Sequence, residues 1–284
     1  MSRSLGDTIL IWTLRACASI AGAVVLLIGW FVLAEAIPAL ASIGLTRFFS
    51  DPSWHPTQGL YGLAPMLWGT LFATAGAVLL ATPLGIAAGV FCNFYAPPPL
   101  ARVYRRILEL LAGIPSVVYG FWGLMVLVPL IGRLHPPGPS LLAGILVLTL
   151  MTLPTIALTA DAAISSVPDD YRRAAAALGL TRFATVRRVI LPVAKSGLLT
   201  GVILQVGRAL GETMAILMVC GNQVQTPRSV FDPIRTLTAN IALEMAYATG
   251  SHRGALFVSG LLLLCVIVCL VLVADLVARR RVHV

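Results

Sequence analysis

The chain alternates long apolar runs with short polar intervals. Six runs reach the length of about 20 residues that a helix needs to cross a hydrocarbon core. They cover 16–37, 67–91, 114–131, 141–160, 198–219 and 255–277. Pro83 and Gly85 in the second run and Pro154 in the fourth are residues that kink or loosen a membrane helix. The first run is too long for a signal peptide and lacks a small-residue cleavage site, so it is expected to be retained. Arg102 to Leu111 sets apolar residues at helical spacing beside Arg105, Arg106 and Glu109, predicting an amphipathic helix at the membrane surface. Leu237 to Tyr247 has the spacing of a short helix carrying Asn240 and Glu244. The pattern predicts an all-α membrane protein with six transmembrane helices.

Composition supports this reading. The chain is 58% hydrophobic and 11% charged, against about 25% charged residues in a soluble domain. The net charge of +9 does not point to nucleic acid, because the basic residues lie between apolar runs, where they report topology. Of the 20 Lys and Arg, fourteen fall on one side, including Arg3, Arg15, Arg102, Arg172, Arg188, Lys195, Arg279, Arg280 and Arg281. Five fall on the other, namely Arg47, Arg133, Arg228, Arg235 and Arg253, and Arg208 lies inside a run. Both termini are therefore expected in the cytoplasm. This gives a cytoplasmic segment 1–15, a six-span domain 16–277 and a basic cytoplasmic tail 278–284. Within the domain, 38–66 is an outer loop, 161–196 a cytoplasmic loop and 221–254 an outer segment.

The five cysteines lie in or beside apolar runs with no CxxC spacing, which predicts buried free thiols. His55 and His135 are isolated, so no metal site is expected. Trp54 and Tyr61 in the first outer loop suit either a membrane interface or a docking surface for a soluble partner.

A charged, alanine-rich island at 169–192 interrupts the apolar pattern. Pro168 suits a first helical position, Asp169 and Asp170 suit the positive end of that helix, and Asp169 can pair with Arg173 four residues on. Gly179 is expected to end the helix in the left-handed conformation. A second short helix then carries Arg182, Arg187 and Arg188 up to Pro192, making a basic helix-turn-helix outside the hydrocarbon.

Span five holds the costly residues. Gly207-Arg208-Ala209-Leu210-Gly211-Glu212-Thr213 places an Arg and a Glu one helical turn apart inside an apolar run. A charge at mid-membrane costs about 2.5–3.5 kcal/mol on insertion scales and faces a protein interior or a wet cavity. The pair reads either as a salt bridge that locks the span or as an anion-pathway Arg with a charge-balancing Glu. Gly207 and Gly211 would let another helix approach closely.

Ala174, Ala175, Gly179, Val189, Leu191 and Pro192 match the spacing of the EAA loop, which resembles that of ABC importer permeases. Arg173 stands where that family usually has Glu. The runs Ile114-Pro115-Ser116-Val117-Val118-Tyr119-Gly120 and Gly207 to Ala215 resemble those of phosphate ABC importer permeases, of the PstC type more than the PstA type. The region from Trp54 to Thr70 is also similar, so the resemblance covers nearly the whole chain.

This resemblance implies a type I ABC importer permease domain whose loop 161–196 couples to an ATPase. It implies a second, PstA-like permease, two ATPase subunits and an external phosphate-binding protein. No phosphate-loop sequence occurs here, so ATP and Mg belong to the ATPase subunits and this chain is expected to bind no cofactor and catalyse no reaction. A permease for molybdate, sulfate or phosphonate, or a carrier driven by an ion gradient, stays open at this point.

Overall fold

A computed structural model describes residues 5–279 of the chain. The expected charges at Arg3, Arg280 and Arg281 lie outside those residues. Among the described residues, six helical stretches are long and apolar enough to cross a membrane, as the hydrophobic pattern predicts.

The first helix, α1 (Leu5–Ile43), is longer than its predicted span and takes in most of the expected N-terminal segment. Next come the short α2 (Arg47–Ser50) and a hairpin of β1 (Trp54–His55) and β2 (Leu60–Tyr61), with Trp54 opposite Tyr61. Gly59, in the left-handed conformation, turns the chain between the strands. Trp54 and Tyr61 are only 3% and 5% exposed, packed with Phe48, Leu63, Met66 and Leu237. Neither side chain lies at the surface, as a membrane-interface residue would. Tertiary packing turns these two rings inward from a loop whose exposed positions are others, His55, Thr57 and Gln58 among them.

Helix α3 (Ala64–Val90) runs on through one π-turn at Phe91–Tyr95. It packs along α7 (Leu141–Ser165) at small residues that admit a neighbouring backbone. A Cβ built on Gly85 would lie 2.6 Å from Ile156, and one on Gly89 would lie 2.9 Å from the Asp161 amide nitrogen. Between them in sequence, α4 (Pro98–Ala112) is the expected amphipathic helix, one turn longer at its start. It turns Ala101 and Leu108 inward and leaves Leu100, Val103, Ile107 and Leu110 exposed. The third span is α5 (Ser116–Trp122), a π-turn at Gly123–Leu127 and α6 (Val128–Leu134).

After α7 the basic island forms α8 (Asp169–Ala177) and α9 (Arg182–Thr185). Pro168 precedes the first helix as its cap, outside the first-turn position expected for it. Pro192 does not end the second. The chain passes from α9 through a π-turn at Val186–Ile190 straight into α10 (Leu191–Leu210). A proline has no N–H and crowds the carbonyl four residues back, and the wider π-turn just before it absorbs that conflict. Loop helix and span five are thus one continuous run, Arg182–Leu210.

Span five then breaks. Helix α10 stops at Leu210, and α11 (Met214–Val219) starts only after Gly211, Glu212 and Thr213. The segment beyond carries α12 (Leu237–Glu244), within the predicted helix, and α13 (Gly250–Arg279) returns across the bundle beside α1. A core of α3, α6, α7 and α11 side chains, including Met151, Leu148 and Ile216, lies behind the break.

Candidate functional site

The break in span five is built from its own polar groups. The Glu212 carboxylate accepts from the Ala215 N–H at 3.2 Å and so caps α11. The Thr213 hydroxyl donates to the Gly211 carbonyl at 3.2 Å, and the Thr238 hydroxyl of α12 donates to the Glu212 carbonyl at 2.8 Å. Non-helical backbone at membrane depth survives only where such partners exist.

Arg208 ends up alone. It lies on the last turn of α10 with an exposed side chain and makes no ion pair among the described residues. The expected one-turn pairing with Glu212 does not form, because the helix that would align them stops at Leu210. This removes the reading of a salt bridge that locks the span. The close helix approach expected at Gly207 is also missing within this chain, since a Cβ there would meet nothing within 4 Å. Gly211 serves instead as the cap residue of α10.

The structure brings the two diagnostic runs together. Pro115 caps α5, and a Cβ on Gly120 would lie 2.7 Å from the Ala215 Cα, so α5 packs tightly on α11. Tyr119 lies within electrostatic reach of Arg208 and donates its hydroxyl to the Leu111 carbonyl at 2.8 Å.

At the basic end, Gly179 adopts φ +67° as expected. The Gly179 N–H reaches the Ala176 carbonyl and the Leu180 N–H reaches the Ala175 carbonyl, both at 3.0 Å, which closes α8 with a left-handed cap. Asp169 pairs with Arg172, at 3.8 Å, instead of Arg173. Arg173 and Ala174 are exposed. Ala175, at 2% exposure, is packed inside the loop. Val189 and Leu191 are half-buried along the continuous helix and Pro192 is exposed. The loop instead presents Leu178 and Phe183, 78% and 64% exposed, with Tyr171 beside them. Sequence reading passed over these three because Tyr171 and Phe183 adjoin charged residues and Leu178 reads as part of an alanine-rich helix.

Two further clusters were not foreseen. Asp161, one turn before the end of α7, accepts two hydrogen bonds from Arg105 of α4 and one from Asn93 at 2.7 Å. Asn93 in turn accepts from Ser165 at 2.9 Å. Hydrogen bonding to Asp161 raises the Arg105 guanidinium above its ordinary pKa. Arg172 of the loop stacks over Phe94, 4.9 Å from its centre. Asp161 thus ties α4 to α7, and Arg172 seats the loop on the π-turn that ends α3.

At the opposite end, the buried Glu244 carboxylate gathers the Trp54 indole N–H at 2.7 Å, Arg235 at 2.7 Å and His252 at 2.8 Å. These residues line a cleft of about 410 Å³. Their separation in sequence, 190 residues between Trp54 and Glu244, gave no local signal. Among the described residues no group of three or more His, Cys, Asp or Glu could hold a metal.

Residues 81–283 match the family described as binding-protein-dependent transport system inner membrane component. The chain is 40% identical to the probable ABC transporter permease protein YqgH of Bacillus subtilis, with 94% of this chain and 89% of that protein covered. It is 34% identical to the phosphate transport system permease protein PstC of Mesorhizobium japonicum, over 98% of this chain and 91% of that protein. In fold it is similar to a subunit of a bacterial alginate ABC transporter, with TM-score 0.67, 16% identity and 98% of both chains covered. It is also similar to a chain of the MetNI methionine ABC transporter in an inward-facing conformation, with TM-score 0.64, 21% identity and 80% and 99% covered.

Proposed function

This chain belongs to the family of binding-protein-dependent transport system inner membrane components, and we propose that it is the permease subunit of an ATP-driven importer for inorganic phosphate. It forms the translocation pathway with a second, PstA-like permease. Two ATPase subunits bind ATP and Mg and dock on the loop between α7 and α10, and an external phosphate-binding protein delivers the anion. The chain carries no ATPase site of its own and binds no cofactor. It spans the bacterial cytoplasmic membrane with its basic end and both termini in the cytoplasm, which the charge asymmetry supports.

One observation carries this reading: an unpaired Arg208 at the break of a membrane span. Stranding a guanidinium in hydrocarbon costs about 2.5–3.5 kcal/mol, so its place is a wet pathway between two permeases. There it offers an oxyanion a planar, two-pronged donor that stays charged at any physiological pH. Gly207 and Gly211 keep the backbone beside it bare, and Thr213 adds a hydroxyl. The names of the phosphate-system relatives favour phosphate over molybdate, sulfate or phosphonate. Glu212 is spent as a helix cap, which disfavours a proton-coupled carrier built on its carboxylate.

ATP-driven closure of the ATPases moves the docked loop, and the continuous helix Arg182–Leu210 passes that motion to Arg208. Uptake of labelled phosphate by the complex in proteoliposomes tests the assignment. Arg208→Gln should reduce uptake at least a hundredfold while assembly and basal ATP hydrolysis persist. Uptake that needs no ATPase subunit, or that prefers molybdate or sulfate, would overturn it.

A further inference from the structure

Glu212 presents a backbone carbonyl that neither flanking helix satisfies. The last bonds of α10 run from the Gly211 N–H to Gly207 and from the Glu212 N–H to Ala209, and α11 begins with the Leu217 N–H on Thr213. Thr238 fills this gap from α12 at 2.8 Å. The direction of the bond is fixed, because a carbonyl can only accept. The Thr238 hydroxyl therefore spends its proton on Glu212 and receives one from the Thr236 hydroxyl, 3.0 Å away. Thr236 also accepts from the Ala239 N–H as the cap of α12. At its start α12 is tied to α3 through the Leu237 N–H and Thr70, at 3.1 Å. At its end Glu244 binds it to Trp54, Arg235 and His252 around the cleft.

Without that hydroxyl the Glu212 carbonyl would sit at membrane depth with no partner. The nearest remedy is one more turn of helix, with the N–H of Ile216 four residues on as donor. Rewinding would join α10 to α11 and bring Arg208 and Glu212 onto one face, four apart, where opposite charges pair. The released Glu212 carboxylate would then neutralise the guanidinium that the anion needs.

We propose that Thr238 is a positioning residue for translocation: its bond to the Glu212 carbonyl holds span five broken and so keeps Arg208 from pairing with Glu212. Helix α12 is then the strut that links this state to the cleft around Glu244. The proposal rests on the reading of Arg208 as the anion contact, and the test has one arm that needs no substrate.

In the assembled complex in lipid nanodiscs, hydrogen exchange across 211–217 should slow at least tenfold in Thr238→Val, because rewinding protects the Ile216 amide. Thr238→Ser, which keeps the hydroxyl, should exchange like the wild type. In proteoliposomes Thr238→Val should raise KM for phosphate about tenfold or more with assembly and kcat largely kept. Adding Glu212→Gln should restore KM, since a neutral amide cannot neutralise Arg208 even on a rewound helix. Unchanged exchange in Thr238→Val, or equal loss with Ser and Val, would overturn the proposal. So would a KM defect that Glu212→Gln fails to relieve. Wild-type complex that imports no phosphate would sink the transport assignment, and the exchange arm would still decide the role of Thr238.

Discussion

The Arg105 guanidinium meets the Asp161 carboxylate along two parallel bonds, Nε to Oδ2 at 2.8 Å and Nη2 to Oδ1 at 2.9 Å. This pair fastens the surface helix α4 to the end of α7, where the basic loop begins. The two side chains are part-exposed, so the pair is weaker than a sealed one. Removing one partner still leaves the other among hydrogen-bonding groups made for it. Arg105→Gln is expected to cost about 1–3 kcal/mol, read as a lower unfolding temperature of the assembled complex. Because the guanidinium fork donates two bonds at once, Arg105→Lys should recover only part of the loss. A double charge exchange at 105 and 161 that recovered nothing would argue against a pairwise role.

The proposed docking of the basic loop offers a second test, with its shape and its surface separated. Gly179→Val places a β-branched residue at φ +67°, a cost of about 1–2 kcal/mol, and should loosen the turn. Leu178→Asp leaves the turn intact and spoils only the exposed apolar patch. Both should reduce ATPase co-purification and phosphate uptake severalfold with all spans inserted. Arg173→Glu, at an exposed and unpaired position, should change either measure less than twofold. Normal ATPase binding in both Gly179→Val and Leu178→Asp would remove the loop from the docking surface.

Orientation is checked by impermeant thiol reagents in intact cells, in a background lacking the native cysteines. A cysteine at Thr57 or Ser229, both exposed, should react from outside, and one at Ala174 only after lysis. The reverse pattern would invert the topology.

Much of the architecture was legible because its signals are local. Six apolar runs are long enough to span, and no neighbour is needed to recognise them. Gly179 ends α8 for a reason contained in its own backbone, and α4 shows its two faces in its spacing. The misreadings share a different cause. Arg208 and Glu212 are four apart, which spells a pair on any helix, but the helix stops at Leu210 and the Glu212 carbonyl finds Thr238, 26 residues further on. Pro192 reads as a stop, yet a π-turn carries the helix through it. Trp54 reads as an interface residue until Glu244 meets it across 190 residues. Ala175 fits a loop motif whose spacing cannot tell the docking face from the packed one.

The run from Arg182 to Leu210 has a further property. Gly197 and Gly201 press it against α7 so closely that added Cβ atoms would lie 2.8 Å from Ala163 and 2.5 Å from Thr159. Under the proposed stroke of the loop, those contacts would serve as a fulcrum and the helix as a lever across it. At 1.5 Å per residue the arm towards Arg182 is about 25 Å and the arm towards Arg208 about 13 Å. A sideways stroke at the loop therefore reaches Arg208 halved and reversed: a shove of about 4 Å at the long arm becomes about 2 Å the other way at the short one. That gearing would exchange travel for force at the guanidinium, which suits the anion contact proposed for Arg208.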